Sequence, residues 1–242
     1  MIDLYLRMFL ENSLSKIKDF ILKRYGNNLA AILVFGSANT RYFRENESDI
    51  DTMIFLKKLK GLDLAKETKF LIKALAPENF HTQYFHTLSS IKRYVKKRVS
   101  WSTRITILSK DGSRVLYSTQ EFAKLKKWLK DTFPSKQKIR KYVKEKDEFE
   151  LYGYFNSIEG FDLTKALMSH IRRKLQIMNY FQTGKFVSDY NRCLTHINLP
   201  FDKKEKLRAL YKSYKNREEL NEKEVENYYK LANQFTDKIL EK

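Results

Sequence analysis

Two short segments carry the residue types that could do chemistry. Gly36 and Ser37 follow the apolar run 30–35, and Asp49 and Asp51 stand at the start of the next apolar run. A glycine after a buried strand lets backbone amides approach a phosphate group closely, and the serine hydroxyl adds a hydrogen bond. Carboxylates at positions i and i+2 of a strand share one face, because strand side chains alternate. The pattern predicts a phosphate site beside a cation site.

The two carboxylates suggest what that cation is. Two carboxylates on one strand face repel each other, and Mg²⁺ is a cation that takes a couple of carboxylates together with phosphate oxygens. Such a site would position a nucleoside triphosphate for attack at its α-phosphate, with the metal neutralising charge on the departing pyrophosphate. The alternative is that Asp49 only caps a turn and Asp51 is an exposed strand residue.

The hydrophobic pattern predicts alternating helices and strands around these segments. Apolar residues three or four apart indicate helices, and short β-branched or aromatic runs indicate strands. The order up to residue 117 is helix 2–25, strand 30–35, strand 50–56, helix 63–75, strand 79–86, helix 88–97 and strand 115–117. This order predicts a mixed sheet flanked by helices.

After Pro134 the pattern contains helices alone, so we expect an α-helical bundle. The predicted segments are 137–157, 162–183, 187–197 joined to 202–214, and 222–240. We therefore predict an α+β chain with two domains, residues 1–134 with the mixed sheet and residues 135–242 with the bundle.

The net charge of +19 favours polyanionic partners such as RNA or nucleotides. The excess is on both parts, with 25 Lys and Arg against 13 Asp and Glu before Pro134, and 23 against 16 after it. A generally Lys-rich surface is an equally open explanation. The basic segment 92–98, followed by Trp101 and Arg104, could track a nucleic-acid backbone and stack on a base, or could be a solvated helix face.

The remaining composition limits the compartment and the metal chemistry. Cys193 is the single cysteine, so neither an internal disulfide nor a cysteine-based zinc cluster can form. The four histidines show no metal-ligand spacing, and His170 lies on the apolar stripe of its predicted helix, as a core residue does. The apolar run 30–35 is too short to span a bilayer. We expect a soluble, cytoplasmic protein with no membrane partner.

The pattern Gly36-Ser37…Asp49-Ile50-Asp51 resembles the Gly-Ser…Asp-x-Asp motif of the DNA polymerase beta nucleotidyltransferase superfamily, over roughly residues 15–120. The resemblance implies an NTP substrate, with ATP as the expected one, and Mg²⁺ as cofactor. It places Gly36 and Ser37 on the phosphates and Asp49 and Asp51 on the metal. The helical second half looks like that of small prokaryotic and archaeal members. Those include aminoglycoside nucleotidyltransferases and the minimal nucleotidyltransferases that act as antitoxins beside HEPN partners.

The chain departs from the superfamily at its third carboxylate, which usually lies on a later strand. The matching strand, 79–86, contains no Asp or Glu. Glu78 just precedes it and is one candidate for this catalytic role, and His81 is a candidate base. Arg41 and Arg44, in the loop between the motif's two halves, could clamp the triphosphate.

The expected function is transfer of an NMP from Mg-NTP to an acceptor with release of pyrophosphate. The acceptor stays open between a small molecule, a protein hydroxyl and an RNA. Two alternatives follow from the departures: an inactive or weak nucleotide-binding protein that works as an antitoxin-like partner, or an RNA- or tRNA-modifying transferase that binds RNA through its basic surface.

Overall fold

The computed structural model describes residues 2–39, 48–152 and 154–241. The chain divides into two compact units, residues 1–133 and residues 134–242. Among the described residues, no helix is both long and apolar enough to cross a membrane.

In the described part of unit 1, four strands form one sheet. They are β1 (Leu29–Val34), β2 (Ile50–Leu56), β3 (Phe80–Thr87) and β4 (Arg114–Ser118). Their spatial order is β3-β2-β1-β4. β1 runs antiparallel to β2 and to β4, whereas β2 and β3 are parallel. The sheet is therefore mixed, as the order of elements in the sequence predicts.

Helices cover both faces of this sheet. They are α1 (Ile2–Tyr25), α2 (Leu64–Ala74), α3 (Leu88–Lys97), α4 (Trp101–Leu108) and α5 (Gln120–Asp131). The sequence pattern predicts the first three and misses α4 and α5. Four of the eight residues of α4 are Thr or Ile, which favour strands, and its burial on most sides removes the amphipathic signal. α5 does carry a helical stripe, at Phe122, Leu125 and Leu129.

The central strand β1 is buried along its whole length because each of its faces meets a helical layer. Ile32 and Val34 belong to a core with residues of α1 and α2. Ala31 and Leu33 belong to a second core with residues of α3 and α5. This two-sided burial explains why β1 is a continuous apolar run instead of an alternating one.

Trp101 and Arg104 are core residues of α4. Their side chains are almost fully buried, so the alternative in which these two residues contact a nucleic acid is wrong. The Arg104 guanidinium donates to three backbone carbonyls, those of Val95, Val99 and Leu129. Burial lowers the pKa of Arg104 to about 10. The cation therefore joins the end of α3 to α4 and α5.

Replacing Arg104 with Met should lower the free energy of unfolding of unit 1 by roughly 2–4 kcal/mol, since it leaves three buried carbonyl oxygens without this donor. Urea unfolding followed by tryptophan fluorescence measures it, because Trp101 and Trp128 both lie in unit 1. The control is Arg93→Met on the exposed face of α3, which should cost less than about 0.5 kcal/mol. Equal losses in the two variants would contradict this role.

The described part of unit 2 contains helices and no strand, as the sequence predicts. They are α6 (Lys136–Tyr152), α7 (Gly160–Thr183), α8 (Tyr190–His196), α9 (Phe201–Asn216) and α10 (Glu222–Leu240). α7 contacts α8, α9 and α10, so it is the central helix of the unit.

A buried ionic network joins α6 to α7. His170 Nδ1 lies 2.6 Å from Glu150 Oε2, and its Nε2 lies 3.2 Å from Asp147 Oδ1. Arg173 donates to Glu150 at 2.8 Å, and Lys174 donates to Asp147 at 2.9 Å. Glu150 is thus paired with Arg173 and Asp147 with Lys174, and both cations lie one turn after His170 in α7. His170 is the core histidine that its position on the apolar stripe indicates.

This network ties the stability of unit 2 to pH. Burial alone raises the pKa of Glu150, but hydrogen bonds from His170 and Arg173 outweigh it and lower the pKa to about 2. A carboxylate whose pKa is depressed by folding stabilises the fold above its unfolded pKa. That stabilisation is lost as the pH falls through the folded value.

We expect Glu150→Gln to weaken protection of the α6 and α7 amides near neutral pH and the difference from wild type to shrink between about pH 4.5 and pH 2. Each pH unit in this window should change the opening equilibrium by up to about tenfold. Hydrogen exchange read by mass spectrometry measures it. Glu145→Gln, on an exposed part of α6, is the matched control and should change little. A difference that persists unchanged at pH 2 would refute the assignment.

Candidate active site

The sheet brings the ends of three strands to one edge. β1 and β2 are antiparallel and pair Val34 with Thr52, so the end of β1 lies beside the start of β2. β2 and β3 are parallel and pair Asp51 with His81, so both strands start at this edge. Residues that follow β1 and residues that open β2 and β3 therefore meet.

Gly36 is in direct contact with Asp51. Its φ is +69°, and a Cβ placed on it would lie 2.7 Å from Asp51 Oδ2. The neighbouring Phe35 amide donates to the Asp51 carbonyl at 3.0 Å, which fixes the two chains at this separation. The position requires glycine both for its left-handed backbone and for the space that the carboxylate occupies.

The Asp51 carboxylate also contacts His81. The distance from His81 Nδ1 to Asp51 Oδ1 is 3.2 Å, and the two side chains are 45% and 21% exposed. The Thr52 hydroxyl donates to the His81 carbonyl at 3.2 Å, which adds to the ladder between β2 and β3. Both groups are therefore held by the sheet and are open to solvent.

Asp49 and Ser37 flank this pair. Asp49 is exposed and lies one residue before β2, whose first amide, that of Ile50, donates to the Asn79 carbonyl at 2.8 Å. Ser37 is half-buried in the 3₁₀ turn Gly36–Asn39 that follows β1. The two halves of the motif thus lie at the same edge of the sheet.

Glu78 is held by α1. Its carboxylate is 2.9 Å from Lys16 Nζ. Burial raises its pKa, but hydrogen bonds from Ser13 and Lys16 outweigh this, and the net pKa is lowered. A catalytic role for Glu78 stays a prediction, and it would require the carboxylate to leave Lys16. Arg41 and Arg44 lie outside the described residues, so their predicted contact with the triphosphate also stays a prediction.

The donor atoms at this edge fit a divalent cation bound together with a ligand. Carboxylate oxygens are the donors that Mg²⁺ accepts, and Mg²⁺ commonly takes one or two of them plus phosphate oxygens. Because Gly36 has no side chain, position 36 leaves Asp51 Oδ2 unobstructed, whereas a Cβ there would lie 2.7 Å from this oxygen. Among the described residues, no three His, Cys, Asp or Glu side chains are grouped to hold a metal by themselves.

The family model described as "Nucleotidyltransferase domain" matches residues 14–151, more than half of the 242 residues. The chain belongs to this family. The resemblance to the DNA polymerase beta-like nucleotidyltransferases is thereby confirmed, and the match includes the whole edge of the sheet just described. It extends past unit 1 to the end of α6.

The nucleotidyltransferase fold is also shared with a solved structure, spectinomycin adenyltransferase AAD(9) from Enterococcus faecialis with ATP and spectinomycin. The identity is 14%, the TM-score is 0.56, and the similarity covers 96% of this chain and 99% of that one. It therefore extends over the residues of both units. A search of curated proteins finds no match to the sequence.

The sequence pattern names His81 as a candidate base but does not predict its contact with Asp51. The sequence pattern starts β3 at residue 79, one residue before the structure does, so it does not give Asp51 and His81 equal positions in their strands. Asp51 and His81 are each the second residue of their strands, and parallel neighbours that start level place such residues side by side. The sequence does not determine the register of β3 against β2, because the register of two strands joined by a crossover depends on how the connecting helix packs.

Gly36→Ala should destabilise unit 1 by more than the strain of its backbone alone. Gly61 is the matched control, since it has a φ of +77° but nothing within 4 Å of an added Cβ. We expect Gly61→Ala to cost about 1 kcal/mol and Gly36→Ala roughly 2–3 kcal/mol, because the second also displaces the Asp51 carboxylate. Urea unfolding followed by tryptophan fluorescence measures both changes in the free energy of unfolding. Equal costs would mean that the contact with Asp51 is easily relieved.

Proposed function

We propose that the chain transfers a nucleoside monophosphate from a metal-bound NTP to an acceptor and releases pyrophosphate. The observation that carries this proposal is the contact between Gly36 and Asp51. The exposed glycine of a turn lies beside the Asp51 carboxylate, and Asp49 just precedes the same strand, in a chain of the nucleotidyltransferase family. Such an arrangement suits a substrate that brings both phosphate oxygens and a cation.

In this reaction an acceptor oxygen forms a bond to the α-phosphorus, the bond from that phosphorus to the bridging oxygen breaks, and pyrophosphate leaves with the electron pair. Gly36 and Ser37 would bind phosphate oxygens, and Asp49 and Asp51 would hold the cation. Arg41 and Arg44 are further candidates for the triphosphate. Bound Mg²⁺ would neutralise charge on the phosphates. Glu78 and His81 are the candidates for taking the acceptor's proton, and of these His81 contacts Asp51.

A small hydroxylated molecule is the acceptor that we propose first, with ATP as donor. The Enterococcus structure holds ATP and spectinomycin, and it matches nearly the whole length of both chains. This supports ATP as the donor and a small molecule as the acceptor. A protein hydroxyl is the next candidate.

An RNA acceptor is supported by a separate observation on α3. Arg93, Lys96, Lys97 and Arg98 are all exposed, and the Arg98 guanidinium lies 5.8 Å from the ring of the exposed Tyr94. Cations beside an exposed aromatic ring suit a nucleic-acid strand. Binding through them should weaken steeply with salt, and salt-insensitive binding would count against an RNA acceptor.

The alternative to transferase activity is a nucleotide-binding partner protein with little transfer activity, such as an antitoxin. It is favoured by the sequence of β3, which has no carboxylate. Release of pyrophosphate with any acceptor would argue against it.

Asp49→Asn and Asp51→Asn should each lower the affinity for metal-NTP by at least about tenfold, because each removes a charge that the cation needs. Isothermal titration of ATP, GTP, CTP and UTP with Mg²⁺ measures this, against Asp19→Asn on the exposed surface of α1 as the equal-charge control. Tryptophan fluorescence should show that all three variants remain folded. Unchanged affinity in both site variants would refute the assignment of the metal site.

A further inference from the structure

The possible metal ligand that the sheet places beside Asp51 is a nitrogen of the His81 imidazole. Among the residues of β3, those level with the start of β2 are Phe80, His81 and Thr82, and only His81 carries a metal-ligating side chain. Its Nδ1 lies 3.2 Å from Asp51 Oδ1. The following inference rests on the proposed function, because it concerns the cation of the same site.

The spacing of these two atoms suits a shared cation. Ligands about 2.1 Å from an ion in octahedral geometry are about 3.0 Å apart when they occupy adjacent positions. The observed 3.2 Å is close to that value. Both side chains are accessible to solvent, at 45% and 21%, so an ion can reach them.

The backbone holds the two donors in place. Asp51 pairs with His81 in the parallel ladder, and the Thr52 hydroxyl binds the His81 carbonyl. On the other side, Gly36 limits where the Asp51 carboxylate can move, since its backbone approaches Oδ2. Donors that are positioned before the ion arrives need little rearrangement to bind it.

We propose that His81 Nδ1 is a metal ligand together with Asp51, and that this nitrogen makes the site prefer Mn²⁺ to Mg²⁺. Mg²⁺ demands oxygen donors, whereas imidazole suits first-row transition ions. Mn²⁺ also accepts carboxylate oxygens, so it fits a mixed set made of the His81 imidazole, the Asp51 carboxylate and phosphate oxygens. His81 thereby substitutes for a carboxylate on β3 and changes which cation the site binds. An imidazole bound through Nδ1 carries its proton on Nε2, so this role excludes His81 as the acceptor's base and leaves Glu78 as the candidate.

The first experiment measures binding without turnover. The full-length chain is titrated with Mn²⁺ in the presence of α,β-methylene-ATP, which cannot transfer its nucleotide, and free Mn²⁺ is followed by EPR. Competition with Mg²⁺ gives the ratio of the two affinities. The variants are His81→Gln, which removes the donor, and His81→Asp, which replaces nitrogen by oxygen. His196→Gln is the control, since His196 is exposed on α8.

We expect His81→Gln to lower the Mn²⁺ affinity by at least about tenfold, because even loss of an outer-shell partner costs that much. His81→Asp should shift the Mn²⁺-to-Mg²⁺ ratio toward Mg²⁺ by at least about tenfold. His196→Gln should match wild type in both quantities. If both His81 variants keep the wild-type ratio, the proposal is overturned and His81 is only a hydrogen-bond partner of Asp51.

In the second experiment the result that would overturn the proposal is measured on wild type alone, so it does not depend on the folding of any variant. Pulsed EPR of bound Mn²⁺, on protein labelled with ¹⁵N-histidine, detects a coupled imidazole nitrogen. A coupling that is present in wild type and in His196→Gln but absent in His81→Gln supports the proposal. Absence of coupling in wild type with Mn²⁺ bound overturns it.

The two proposals fail in different ways. If wild type binds metal with the ATP analogue but shows no nitrogen coupling, the nucleotide site stands and the role of His81 falls. If wild type binds no metal with ATP, GTP, CTP or UTP, the proposed function falls, and the inference about His81 falls with it.

Discussion

The contact between the Gly36 backbone and the Asp51 carboxylate is the constraint on which the site depends. It exists because β1 and β2 are antiparallel neighbours, so that the turn after one strand must pass the first side chains of the other. A side chain at position 36 would occupy the place of the carboxylate oxygen. The turn after β1 and the Asp51 carboxylate can lie this close at one edge of the sheet only when position 36 is a glycine with a left-handed backbone.

The rest of unit 1 makes this edge rigid. β1 is buried between two helical layers, and the Arg104 guanidinium binds carbonyls from the segments that follow β3 and from α5. The parallel neighbour β3 then adds His81 from a third chain segment. Each of the three strands thus contributes one part of the candidate site, and the strands themselves belong to packed cores.

The cations of this chain fall into two groups, buried and exposed. Arg104, Arg173 and Lys174 are structural cations, whose partners are carbonyls in unit 1 and the carboxylates of Asp147 and Glu150 in unit 2. The exposed cations of α3 are a separate group, available to an anionic partner. Net charge alone does not distinguish them, because a buried cation and a solvated one count equally in composition.

The order of the strands and the position of the motif can be predicted from the sequence alone. The strand after Asn28, the Gly-Ser turn, the Asp-x-Asp pair and the all-helical second half follow from local patterns, in which each residue's neighbours along the chain carry the signal. Arg104 and His81 show where that reasoning ends. Trp101 and Arg104 follow a basic segment in sequence, but the packing of α4 against α5 buries them. His81 is 30 residues from Asp51, and only the register between β2 and β3 brings the two together. Tertiary structure decided both, because burial and strand register depend on contacts between distant segments.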